Sequence, residues 1–130
     1  MSRTVDIAVR ELCLALPEAE EFQSRGSPNY RVRGGKVFAI YVLNHHGDGR
    51  VALWLIGAEG VQAHWVGADP DAYFVPPYVG PSGWLGVRLD RGLDWSEISE
   101  RVYEAWQQVA PARALELADA APEVPPPDTA

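Results

Sequence analysis

The chain has 130 residues, 47% of them apolar and 22% charged, with 18 acidic against 11 basic side chains and a formal net charge of −7. That length supports one hydrophobic core without disulfides or a structural metal. The lone Cys13 excludes an internal disulfide, and the lack of a long apolar run or a cationic, apolar start leads us to expect a soluble, cytoplasmic protein with no membrane span.

Thr4 is placed to cap a first helix whose apolar residues Val5, Val9, Leu12 and Leu16 recur at helical spacing, with Pro17 as its stop. Glu18 to Pro28 reads as an acidic, polar connector ending in the turn signal Gly26-Ser27-Pro28. Three runs rich in Tyr, Val, Ile, Phe, Leu and Trp follow, Asn29 to Arg33, Lys36 to Leu43 and Arg50 to Ile56. Separated at Gly34-Gly35 and at Asn44 to Gly49, they predict an antiparallel meander. Two of them are nearly continuous in apolar residues, which predicts central strands with helices on one face and partial cover on the other. Glu59 to Val66 is read as a short helix.

Four prolines between Gly67 and Gly83 rule out a central strand or a long helix and indicate an ordered loop. Trp84 to Leu89 predicts a further strand that closes the sheet. Asp94 with Glu97 resembles a capping box, and Ile98, Val102, Ala105, Trp106 and Val109 form one apolar stripe of a helix that Pro111 breaks. Ala112 to Ala120 allows a short final helix, and the proline-rich stretch 121–130 is expected to be disordered. The predicted architecture is a single α+β domain over residues 1–120, a two-layer fold whose antiparallel meander carries the N-terminal and C-terminal helices mainly on one face.

The order of several motifs is distinctive. Leu16-Pro17 and Glu20-Glu21 precede Tyr30-Arg31-Val32-Arg33-Gly34 and Lys36-Val37-Phe38-Ala39. Further on come Val75-Pro76-Pro77-Tyr78-Val79-Gly80-Pro81, Gly83-Trp84, Gly86-Val87-Arg88-Leu89, Asp94-Trp95 and Val109-Ala110-Pro111. In this the chain resembles the MmcQ/YjbR family over roughly residues 5–118. The resemblance implies a CyaY/frataxin-like fold and, by analogy to a "double-wing" motif, a DNA-binding role. It departs from the family pattern at Ser27, where His is frequent, and at Ala112, where Lys is frequent, although Arg113 is adjacent.

Charge is unevenly spread. Residues 25–50 carry +4, whereas 1–24, 51–95 and 96–130 carry −3, −3 and −5. A nucleic-acid interface, if present, therefore draws on Arg25, Arg31, Arg33 and Lys36, with Asn44 and Arg50 on a hairpin wing and Arg88 from the later strand. Arg31 and Arg33 are expected to share a strand face because alternate residues do. Against this stand the acidic total, since phosphate affinity comes from Lys and Arg, and a plain alternative in which these cations only solvate a sheet face.

The rival reading is a small-molecule or peptide site under the loop 67–84, built from Tyr73, Phe74, Tyr78, Ser82 and Trp84, with Gly80, Ser82 and Gly83 offering backbone donors to an anion. His45, His46 and Asp48 do not make a metal site, because neighbouring strand residues point to opposite faces and a fourth ligand is missing. Cys13 reads as a core residue, His64 has no partner for a triad, and Glu20, Glu21, Glu97, Glu100 and Glu104 read as solvated. We therefore expect a non-catalytic binding module without a cofactor.

Overall fold

The computed structural model describes residues 2–128. Helix α1 (Val5–Leu14) leads into strands β1 (Ala19–Ser24), β2 (Ser27–Val32), β3 (Val37–Leu43) and β4 (Val51–Leu55). Helix α2 (Val61–Ala68), the two-residue strand β5 (Tyr73–Phe74), β6 (Leu85–Arg88), α3 (Trp95–Gln107) and α4 (Ala112–Leu115) complete the order, with single 3-10 turns at His45–Gly47 and Gly80–Ser82. The six strands form one antiparallel sheet in the order β1-β2-β3-β4-β6-β5. None of the helices among the described residues is long and apolar enough to cross a membrane.

The two apolar central strands are where the sequence puts them, and alternation sends their side chains both ways. Tyr41, Leu53 and Leu55 face α1 and α3 in the main core, together with Tyr30, Val87 and the α3 stripe Ile98, Val102, Ala105 and Trp106. Ile40, Val42, Ala52 and Trp54 face the opposite side, where Phe74, Val79 and Trp84 pack on them. Trp106 anchors the helical layer: it is fully buried and its indole N–H donates to the Pro17 carbonyl at 3.1 Å, satisfying the one polar atom it carries inside. Cys13 lies fully buried in the same core, and burial pushes its thiol well above the usual range.

Besides β5, which lies inside the stretch read as a loop and takes the sheet edge beyond β6, three segments depart from the sequence reading. The acidic connector contains β1, paired along its whole length with β2. Its two-residue turn, Arg25-Gly26, has φ of 53° and 78°, the doubly left-handed geometry that matches the twist of a tight hairpin. Being an edge strand, β1 needs no apolar run, and its Glu20 and Glu21 blunt an otherwise open edge.

The second departure is at α3. Asp94 occupies the N-cap position in extended backbone without a side-chain cap bond, and Glu97 instead accepts the Tyr73 hydroxyl at 2.5 Å. The helix ends at Gln107, before Pro111, and α4 is a single turn.

The third is the tail. Residues 121–128, expected to be disordered, run back over the helical layer. Ser99 Oγ donates to the Pro122 carbonyl, the Arg3 guanidinium donates to the Pro125 carbonyl at 2.8 and 3.0 Å, and Asp128 N–H donates to the Arg3 carbonyl at 2.8 Å. Ala121 and Val124 pack on the core. Prolines prepay much of the ordering entropy and leave their carbonyls free as acceptors, so few apolar contacts suffice to hold the segment. The final two residues of the expected disordered stretch lie outside the described residues.

Two outcomes follow from this core. Trp106→Ala is expected to cost about 3–5 kcal/mol in urea denaturation. Cys13 is expected to react with a thiol reagent orders of magnitude more slowly in the native protein than in denaturant, and comparable rates in both would place the thiol outside the core.

Candidate ligand-binding site

On the sheet face away from the helices, the β1–β2 hairpin, the 44–50 loop and the proline-rich loop surround a concavity of about 330 Å³. Its floor is Ile40, Val42 and Trp54, and Val79 and Tyr78 form one wall. Ser24, Arg25, Ser27 and Asn29 supply the polar rim from the β1–β2 hairpin, and His45 reaches in from the β3–β4 loop. Strand pairing sets these positions. Phe22, Asn29, Ile40, Trp54, Gly86 and Phe74 stand in one row across all six strands, and the cavity occupies the middle of that row.

Backbone geometry singles out the same place. Among the described residues five other than glycine have positive φ: Arg25 (53°) and Tyr78 (64°) line this cavity, and Asn44 (50°) and His46 (49°) flank His45, which also lines it. Asn tolerates this region, but a bulky Tyr there is an outlier, and such conformations cost of order 1–3 kcal/mol each and persist only when their surroundings enforce them. His46 Nε2 lies 3.1 Å from the Tyr78 hydroxyl, joining the β3–β4 loop to the proline-rich loop. His45 sits edge-on to Trp54 and Tyr78, at centroid distances of 5.1 and 5.7 Å, and its Nε2 is buried without a hydrogen-bond partner among the described residues.

The proline-rich loop is held from behind. Gln62 of α2 donates to the carbonyls of Gly80 and Trp84, at 2.9 and 2.6 Å. Phe74 lies flat over Gly86: a Cβ at that position would come within 2.5 Å of the ring, so only glycine admits it. The Arg50 guanidinium covers the other side of Phe74 at 4.1 Å from the ring centre.

The candidate DNA contacts are divided between the two ends of the sheet. Arg25, Asn44, Arg50 and Arg88 fall at the end bearing the cavity, whereas Arg33 and Lys36 occupy the β2–β3 turn at the other. Arg31 stands on the open face, bonded to Glu20 at 2.9 Å and lying over Phe22. Arg33 does not share its strand face, because the chain has left β2 there and its N–H donates to the Glu18 carbonyl. Arg88 is engaged by Asp90 and Arg50 by Asp48, and the Asn44 side chain accepts from Gly49 N–H within its own loop.

Of the residues proposed for a pocket under the loop, Tyr78 lines the cavity, while Phe74 and Trp84 build the apolar layer beside it. Tyr73 points the other way, into the main core against Trp65, and burial followed by its bond to Glu97 pushes its hydroxyl upward in pKa. Ser82 borders a separate, shallower concavity beside α2. His45 and His46 do not diverge as strand neighbours would: their rings are 4.1 Å apart because the loop makes a 3-10 turn with a left-handed residue inside it. No group of three or more His, Cys, Asp or Glu placed to hold a metal occurs among the described residues. A second cavity of about 220 Å³ lies between α2 and α3, where Arg101 is already 2.9 Å from Glu104 and stacked on Trp65.

Sequence reasoning missed Ser24, Ser27, Asn29, Ile40, Val42 and Trp54 as cavity residues. The apolar character of β3 and β4 on both faces was the available signal for the last three. For Ser27 it was the departure from the family pattern.

The fold and this site can be set beside known proteins. The crystal structure of Deinococcus radiodurans protein DR2400, with a DUF419 domain, superposes with a TM-score of 0.68 at 14% identity, covering 95% of this chain and 97% of that one, which is a likeness of fold. No curated protein matches the chain. A model of the YjbR family matches residues 14–108, a span that contains the whole sheet and every residue lining the open-face cavity, and the chain therefore belongs to the YjbR family.

Proposed function

We propose that this protein is a non-catalytic binding module whose ligand is a small molecule, or one side chain of a peptide, seated in the open-face cavity. The observation that carries this reading is the left-handed backbone of Tyr78 in the cavity wall and of His46, which flanks the lining residue His45, because strain of this kind clusters at ligand clamps. An apolar floor with a few convergent polar groups is the ordinary make-up of such a site. Among the described residues, Ser24, Ser27 and His45 make no side-chain hydrogen bond to one another, and the one hydroxyl–imidazole pair beside the cavity, Tyr78 with His46, joins its two loops.

A second reading, DNA binding, is favoured by a different observation. Of the 11 cations, the three without an acidic partner among the described residues are Arg25, Arg33 and Lys36, all in the one positive segment. It predicts duplex affinity that falls by orders of magnitude between about 50 and 200 mM salt. Fluorescence anisotropy with labelled DNA tests it, and no binding at the lower salt rejects it.

The cavity reading is tested by a fragment screen followed by amide chemical shifts. Hits are expected to move Ser27, Ile40, Val42 and Val79 together, and a screen without hits at these residues rejects the reading. Relief of strain gives an independent check. Tyr78 is 71% exposed, so Tyr78→Gly loses little buried area, while removing a strain of about 1–3 kcal/mol and adding about 0.5–1 kcal/mol of unfolded-state entropy. The variant is expected to match or exceed the parent in thermal stability while losing fragment affinity. Destabilisation together with retained affinity would show that Tyr78 serves packing.

A further inference from the structure

We propose that the ligand of the open-face cavity is a planar aromatic ring bearing one carboxylate or phosphate, an inference that rests on the binding role of that cavity. Charge decides the anionic part. The chain holds 18 acidic side chains, yet among the described residues none lines this concavity, and the one Lys or Arg that does is Arg25. Arg25 has no acidic partner among the described residues, unlike Arg31 and Arg88 nearby on the same sheet. An unpaired guanidinium at the mouth of an apolar hollow favours an oxyanion, which it can hold through two parallel N–H donors. A cationic ligand would find no counter-charge there.

Shape and the remaining groups decide the ring. The floor is apolar and includes the Trp54 indole, which is only 7% exposed, and His45 and Tyr78 stand edge-on to one another above it. Aromatic partners in offset or edge-to-face contact gain about 0.5–1.5 kcal/mol beyond simple burial. An apolar cavity of about 150 Å³ accepts benzene, so 330 Å³ has room for a larger ring system with a polar substituent. The His45 ring lines the cavity, and its Nε2 is buried without a hydrogen-bond partner among the described residues.

Arg25 can be removed without harming the fold. It is exposed in the β1–β2 turn with φ of 53°, and Arg25→Asn creates the Asn-Gly pair most favoured in such turns. The probes are 2-naphthoate, naphthyl phosphate, the uncharged naphthamide and the saturated decalin carboxylate, titrated by amide chemical shifts. Naphthoate or the phosphate is expected to shift Ile40, Val42 and Val79 and to bind about tenfold more tightly than the amide and the saturated acid. The tighter of the two names the anion. Arg25→Asn is expected to bring the charged probe down to the affinity of the amide and to leave the amide unchanged.

Equal affinity for naphthoate and naphthamide, or an equal effect of Arg25→Asn on both, overturns the anionic assignment. Equal affinity for the saturated acid overturns the planar one. If none of these probes binds although uncharged fragments from the screen occupy the cavity, this inference fails alone. If fragments fail as well, the binding role of the cavity fails with it.

Discussion

The central strands β3 and β4 are apolar on both faces, and the rest of the structure follows from having to cover both. Helices α1 and α3 bury one face against Trp106 and its neighbours. None of the four helices among the described residues packs on the other face, which is closed by what lies at the sheet's edges: the proline-rich loop, the β3–β4 loop and the Arg50 side chain. Loops cover a flat surface less completely than a helix does, because their backbone polar groups must also be satisfied. The cavity is the part of that face they leave open. It is a consequence of how the sheet is covered, and its floor is core material.

The loops around the cavity are tied in place by three contacts. The Gln62 amide holds two carbonyls of the proline-rich loop, Phe74 rests on Gly86, and His46 meets the Tyr78 hydroxyl. The first ties the loop to α2, the second packs β5 on β6, and the third joins the two loops to each other. Together they keep Tyr78 in a conformation it would not adopt alone. A shaped hollow held in advance lowers the ordering cost of binding.

How far the sequence discloses this differs from element to element. Periodicity reveals α1, α3 and the strands β2, β3, β4 and β6, because each buries an apolar face whose period is 3.6 or 2. It does not reveal β1, whose edge position lets Glu20, Glu21 and Gln23 stand in a strand, nor the strand β5, too short to have a period. The tail 121–128 is hidden for another reason: its order depends on Arg3 and Ser99, more than 20 positions away in sequence. For the site, Tyr78 and Arg25 are legible as an aromatic in a long loop and a cation in the positive block. Their meeting is not, since it is made by the antiparallel return of β3 and β4 between them. The double-sided apolarity of β3 and β4 is the one clue in the sequence that a second surface exists.

The bond between Asp128 N–H and the Arg3 carbonyl joins the two extremities of the described chain across the helical layer, on the side of the sheet away from the cavity. Topologically the backbone is almost a closed ring, with its seam behind the face that bears the cavity. Linking those extremities by a short peptide and opening the chain at the exposed Gly34-Gly35 turn would yield a circular permutant with every strand pairing and every cavity residue retained. In the same way, a reporter attached near either extremity would sit on the reverse of the sheet, clear of whatever enters the front.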